Sequence, residues 1–196
     1  MRILSVKAGR TVPVLLFAVA EGEEERRYAL TEAEYEALGH PRAGDVLTPE
    51  AEAELCRLDE RHRAVSAASR ILEFGDNNAA QLTRKLRARG FGAEAAAYAV
   101  ARMVGRGYIR EADQLERAVL AAARKLWGPR RITEALAARG FDRKEILVCL
   151  DRLTASGEID FAASRRRLLE ERLGGEPSPQ KRRAFLYRYG YGGGED

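Results

Sequence analysis

Two six-residue stretches decide the fold: Leu86-Arg87-Ala88-Arg89-Gly90-Phe91 and, fifty positions later, Leu136-Ala137-Ala138-Arg139-Gly140-Phe141. The same shift pairs Gly107 with Gly157 and Ile109 with Ile159. Aligning 82–109 on 132–159 gives nine identities, at Thr83, Leu86, Ala88, Arg89, Gly90, Phe91, Arg102, Gly107 and Ile109. The conservative pairs Leu82/Ile132, Val100/Leu150 and Met103/Leu153 fall at helical core spacing. A third shift lands Leu186-Tyr187-Arg188-Tyr189-Gly190-Tyr191 on the motif, and this copy stops in Gly192-Gly193-Gly194-Glu195-Asp196. A period of this length marks a repeat architecture, in which each unit buries its apolar face against the next.

Each repeat resolves into three helices. In the second copy Leu115, Val119, Ala122 and Leu126 form one apolar stripe, and Gly128-Pro129 ends that helix and opens the next. Ile132 and Leu136 face the core. Gly140 stops the second helix in a left-handed turn, with Phe141 supplying the hydrophobic contact that accompanies such ends. Asp142 caps the third helix, whose stripe is Ile146, Leu150 and Leu153, and Gly157 ends it. The first copy repeats this with Asn77 as cap, Leu82 and Leu86, the Gly90-Phe91 turn, then Ala96, Val100, Met103 and Gly107.

Ahead of the repeats, Arg2 to Ala8, Val12 to Val19 and Arg26 to Leu30 read as strands separated by turns at Gly9-Arg10 and Gly22. They make a small antiparallel hairpin or meander that needs a helical partner. Thr31-x-x-Glu34 is a capping box opening a short helix to about Leu38, and Gly39-His40-Pro41 breaks it. Thr48-Pro49-Glu50 is a second helix start. The expected fold is mainly α: tandem three-helix repeats of period 50 in an elongated array, behind a β-rich head. The segments are 1–47 (strands and short helix), 48–110 (repeat 1, with an extended first helix), 111–160 (repeat 2) and 161–196 (truncated repeat 3 and Gly-rich tail).

Composition removes several functions. The 196 residues are 45% hydrophobic and 33% charged, the profile of a folded chain. The longest apolar run, Val12 to Ala20, is too short to span a bilayer and leads into Glu21-Gly22-Glu23-Glu24-Glu25 rather than a cleavage site. Cys56 and Cys149 give no disulfide framework, so the chain reads as cytoplasmic. With His40 and His62 they show no metal-ligand spacing, and Cys149 lies in an apolar helical stripe as a core residue. No HExxH, GxSxG, GxGxxG or GxxxxGK[ST] pattern occurs. The expectation is a protein that is not an enzyme and carries no cofactor or metal.

The net charge of +4 hides opposite halves. Residues 1–60 hold 7 basic and 13 acidic residues, and residues 61–196 hold 27 and 17. A basic body behind an acidic head suits a chain that meets a polyanion or an acidic protein face. The cations gather on the second helices as Arg84, Lys85 and Arg87, then Arg130 and Arg131, then Lys181, Arg182 and Arg183, with Arg188 among the tyrosines 187, 189 and 191. The latter two groups sit in first turns, where a cation opposes the helix dipole. Together with free backbone N–H groups, they are placed for phosphates or carboxylates. Trp127, at the end of a stripe, reads as a core anchor, whereas the tyrosines allow base stacking.

These motifs resemble the RecX regulators of the bacterial RecA recombinase. The stretches that carry the resemblance are Leu86 to Phe91, Trp127-Gly128-Pro129-Arg130-Arg131-Ile132, Leu136 to Phe141, and Gly107-Tyr108-Ile109 followed by Glu111. Departures are Glu158 in place of the linker tyrosine and Arg182 at the position of Leu82 and Ile132. The resemblance implies a monomer that binds RecA and its filament on single-stranded DNA, with direct DNA contact as a further candidate. It implies restraint of ATPase and strand exchange, and so a place in recombination, DNA repair and the SOS response. Two other classes remain open. One is a transcription regulator built from tandem helix-turn-helix units, against which the alanine-rich Ala93-Glu94-Ala95-Ala96-Ala97-Tyr98-Ala99 counts. The other is a helical-repeat scaffold for an unrelated protein.

Overall fold

A computed structural model describes residues 1–8, 14–19, 24–174 and 177–192. The turns expected at Gly9-Arg10 and Gly22, the Val12 start of the second strand and the tail 193–196 lie outside the described residues. The chain divides into two compact units, Met1–Gly75 with Leu82–Arg106, and Asp76–Gln81 with Gly107–Asp196.

The first unit opens on the meander β1 (Arg2–Ala8), β2 (Val14–Val19) and β3 (Arg26–Leu30), antiparallel and in that order. Alternation sends Val14, Leu16 and Ala18 of β2 inward with Tyr28 and Leu30 of β3. The outer edge of β1 is covered by the segment before the long helix: Ile3 N–H donates to Asp45 O and Leu47 N–H to Met1 O, both at 2.9 Å. The short helix α1 (Glu32–Ala37) carries the expected capping box, with both reciprocal bonds between Thr31 and Glu34. The 25-residue helix α2 (Pro49–Glu73) starts at the Thr48 cap and supplies the sheet's partner through Leu55 and Leu58. It also runs along the third helix of repeat 1, α4 (Ala93–Gly105). There Gly92 N–H donates to Glu60 Oε1 at 2.5 Å, and Arg61 pairs with Glu94. The second helix, α3 (Ala79–Ala88), buries Leu82 and Leu86 completely.

The second unit continues with α5 (Glu111–Ala123), α6 (Pro129–Ala138), α7 (Arg143–Ala155), α8 (Phe161–Arg172) and α9 (Pro179–Tyr189). Nine helices and one three-stranded sheet among the described residues make the fold mainly helical, as the periodicity requires. Repeat 2 closes on Leu115, Val119, Ile132, Leu136, Phe141, Ile146, Cys149, Leu150 and Leu153, so the stripes assigned to its three helices converge.

One stripe residue belongs elsewhere. The spacing places Leu126 on the α5 stripe, but α5 ends at Ala123 and Leu126 takes φ +61°. Its side chain is buried with Leu168, Phe185, Leu186 and Tyr191, the core of the third copy. Leucine in left-handed backbone is strained, and burial against that second core compensates. The same cluster explains how the third copy packs although Arg182 replaces an apolar residue: Phe185 and Leu186 take over the buried face.

Candidate functional site

The glycine turns repeat with their hydrogen bonds. Phe91, Phe141 and Tyr191 N–H donate to Leu86, Leu136 and Leu186 O, and Gly90, Gly140 and Gly190 N–H donate to the carbonyls three residues back. These are the paired bonds of a Schellman end, which requires the left-handed residue. The three glycines supply it at φ +89°, +98° and +88°.

The helix starts repeat as well, at Asn78, Gly128 and Ser178. The cap of α3 is Asn78 rather than Asn77. Gln81 N–H donates to Asn78 Oδ1 at 2.8 Å, and Asn78 N–H donates back to Gln81 Oε1 at 3.1 Å. Only the 78/81 spacing closes both bonds; the Asn77 carbonyl accepts instead from Gln114 Nε2 at 3.4 Å.

Within the second unit, each of the two helix starts at 78 and 128 meets the glycine turn of the next copy. Asn78 Nδ2 donates to Arg139 O at 3.2 Å. Fifty residues on, Gly128 N–H donates to Tyr189 O at 2.7 Å and Arg130 N–H to Gly190 O at 3.2 Å. The approach excludes any side chain, since a Cβ on Gly128 would lie 2.5 Å from Gly190 O.

This joint engages two expected site residues. The Arg130 guanidinium lies 3.5 Å from the centre of the Tyr187 ring and donates to Tyr187 O at 2.6 Å. Arg131 lies 4.3 Å from the Trp127 ring and donates to Arg188 O at 3.4 Å. The last carbonyls of α9 lack intrahelical donors and form the negative end of its dipole, so two cations here stabilise that end. Local spacing presents the N–H groups at the start of α6 as open to an anion. Gly128 and Arg130 N–H are instead taken by the returning turn, a meeting that local spacing does not encode. Trp127 is half-buried against the repeat 2 core, consistent with its reading as an anchor, and also has Lys125 Nζ 5.4 Å from its ring centre.

The remaining cations lie apart. Arg84, Lys85 and Arg87 are exposed on α3, with Lys85 and Arg87 in its last turn rather than its first. Arg87 Nη1 donates to Phe91 O at 2.7 Å across the glycine turn. Lys181, Arg182 and Arg183 are exposed in the opening turns of α9, where Ser178 caps Lys181 N–H. Arg188 is exposed near its other end, 5.7 Å from the Phe185 ring. Of the tyrosines, Tyr191 is core: its hydroxyl donates to Leu126 O at 3.3 Å, and burial pushes the phenol up to about 12. Tyr189 is half-buried and takes a bond from Arg172, while Tyr187 is 59% exposed with Arg130 over its ring.

Sequence reasoning passed over the run Arg165-Arg166-Arg167 on α8. Arg166 lines a cleft with Leu169, Leu173 and Arg182. The run itself was the available signal. Cys56 is exposed and Cys149 buried, neither in a disulfide, and burial raises the Cys149 thiol above its ordinary value. Among the described residues no group of three or more His, Cys, Asp or Glu side chains is arranged to hold a metal ion, and no helix is long and apolar enough to cross a membrane.

No family model matches the chain. It is 34% identical over 139 residues to a regulatory protein RecX of Ectopseudomonas mendocina (strain ymp), covering 68% of this chain and 90% of the relative. It is 33% identical over 143 residues to a regulatory protein RecX of Stenotrophomonas maltophilia (strain R551-3), covering 70% and 85%. The fold superposes on the crystal structure of a regulatory protein RecX with a TM-score of 0.71 at 18% identity, over 98% of this chain and 95% of the other.

Proposed function

The chain belongs to the RecX family of regulatory proteins, and from that premise we propose that it binds the RecA recombinase, chiefly as the filament on single-stranded DNA, and restrains its ATPase and strand exchange. The observation that carries the reading is the identity of about a third, over about two thirds of the chain, to relatives called regulatory proteins RecX. The protein acts by binding, as a cytoplasmic monomer with no cofactor, in recombination and DNA repair.

The contact surface we assign first is the cationic opening of α9, Lys181, Arg182 and Arg183, with Arg166 beside it across one cleft. Arg84, Lys85 and Arg87 of α3 form a second cationic face. Arg130 and Arg131 support α9 from its other end, where Arg188 lies near the Phe185 ring, and their effect on binding runs through that helix. DNA phosphates or acidic filament side chains would both satisfy these cations.

The deciding measurement is RecA-catalysed ATP hydrolysis on single-stranded DNA, with and without the protein. Hydrolysis should fall as the protein is added, and an unchanged rate at saturating concentration would sink the reading.

A further inference from the structure

The central strand of the N-terminal sheet contains no polar residue. β2 reads Val14-Leu15-Leu16-Phe17-Ala18-Val19, whereas a strand with one solvated face alternates apolar with polar side chains. A run that is apolar throughout is the pattern of a strand covered on both faces. Here α2 covers one of them. Val14, Leu16 and Ala18 are buried with Leu55 and Leu58, while Leu15, Phe17 and Val19 on the other face are only half-buried.

Strand pairing extends that outer face across the sheet. Residues opposed in an antiparallel pair share a face, so Phe17 has Ser5 and Arg27 beside it, Leu15 has Lys7 and Ala29, and Val19 has Arg2. Arg2 is opposed in turn by Val46, which is 66% exposed. Leu4, at the irregularity between Ile3 and Ser5, is 41% exposed. An apolar band therefore runs over the sheet, edged by the exposed cations Arg2, Lys7 and Arg27. No strand contains Asp or Glu, although residues 1–60 hold 13 acidic residues against 7 basic. The acids of the head lie within 21–25, on α1 and α2, and at Asp45.

Charge and shape choose the cover. A second copy of this face would set cations against cations, which opposes a two-fold pairing. Nucleic acid would meet the cations, but Phe17 already has Lys7 Nζ 5.0 Å from its ring centre, and the aliphatic side chains around it offer no stacking surface. Membrane surfaces are held by inserted apolar side chains with Trp and Tyr anchors. On this face the central side chains are half-buried, and among the described residues of the face there is no Trp or Tyr. A protein surface with an apolar centre and a carboxylate rim matches both the band and its edge.

We propose that the outer face of the sheet is a protein-docking surface, and that its occupant is an apolar surface of RecA edged by Asp and Glu side chains. The proposal rests on the reading that RecA is the partner, and adds to it a contact of different chemistry from the cationic helix faces.

The test measures association of the full chain with RecA in the absence of DNA. Leu15→Thr with Phe17→Thr keeps β-forming residues and removes apolar surface from the solvent side only. The melting midpoint should stay in place while affinity for RecA falls about tenfold or more. Lys7→Glu with Arg27→Glu should also weaken association, and it decides the matter if the first variant does not fold. Unchanged RecA affinity in either folded variant overturns the proposal. If the variants hold RecA but lose bare single-stranded DNA, or vesicles of phosphatidylglycerol and phosphatidylcholine, the occupant is nucleic acid or membrane and the proposal fails. The RecA hydrolysis assay on the same proteins separates the two ideas. Restraint retained by both variants with RecA affinity intact overturns the docking face alone. Binding of RecA through this face without restraint of hydrolysis supports the face and sinks the regulatory reading, whereas a wild type that does not bind RecA overturns both.

Discussion

Glycines at equivalent turn ends carry different loads. Gly90 and Gly190 share the left-handed conformation, at φ +89° and +88°. A Cβ on Gly90 would meet nothing within 4 Å, whereas one on Gly190 would run into the Arg131 backbone and Cβ. Gly90→Ala should therefore cost only the backbone strain, about 1–2 kcal/mol. Gly190→Ala adds overpacking of roughly 1–3 kcal/mol and displaces the α6–α9 joint. Urea unfolding of both variants checks this; equal losses would mean that the crowding at Gly190 adds nothing. The left-handed turns were legible in the sequence because L-x-x-R-G-F is itself a helix end. The close approach of Gly128 to Gly190 was not, since it joins residues that local spacing cannot relate.

At the scale of the element, α9 depends on side chains from elsewhere. It has no acidic residue in its first turn, Lys181, Arg182 and Arg183 follow its cap, and it buries only Phe185 and Leu186. Its far end is closed by Arg130, which stacks on Tyr187 and donates to that residue's carbonyl. Arg130→Ala should cost about 1–2 kcal/mol and raise amide exchange across the last turn of α9, leaving the repeat 2 core amides unchanged. Arg130→Lys should not rescue, because an ammonium cannot lie flat on the ring while donating sideways to the carbonyl. Full rescue by lysine would show that charge alone matters. The capping boxes and proline starts made most helix boundaries readable, because they act within four residues. Leu126 is misassigned by its spacing because a helical stripe and a left-handed exit look alike until a second core is there to receive the side chain.

At the scale of the molecule, the question is which cations are available to a partner. Lys181→Glu with Arg182→Glu and Arg183→Glu should weaken association with the RecA–DNA filament without unfolding the chain, since all three side chains are exposed. If they meet phosphates, the salt dependence of binding to single-stranded DNA should flatten by about 0.7 for each phosphate no longer neutralised. Reversing Arg130 and Arg131 should do more than weaken binding, because it also unseats α9. A salt series on wild type and both variants, with melting curves beside it, distinguishes these outcomes; filament binding unchanged by the triple reversal would move the interface away from α9. By itself the sequence determined the repeat period, the three helices of each full copy, the β-rich head and the excess of cations in the body. Each of these follows from periodicity, capping chemistry or composition, which act over a few residues or recur at a constant shift. Only the tertiary structure decided that two of those cations close a helix end and that Leu126 serves the third copy. Those outcomes depend on which surfaces meet across some 42 to 65 residues of chain, and a repeat states only that surfaces are similar, not how each pair meets.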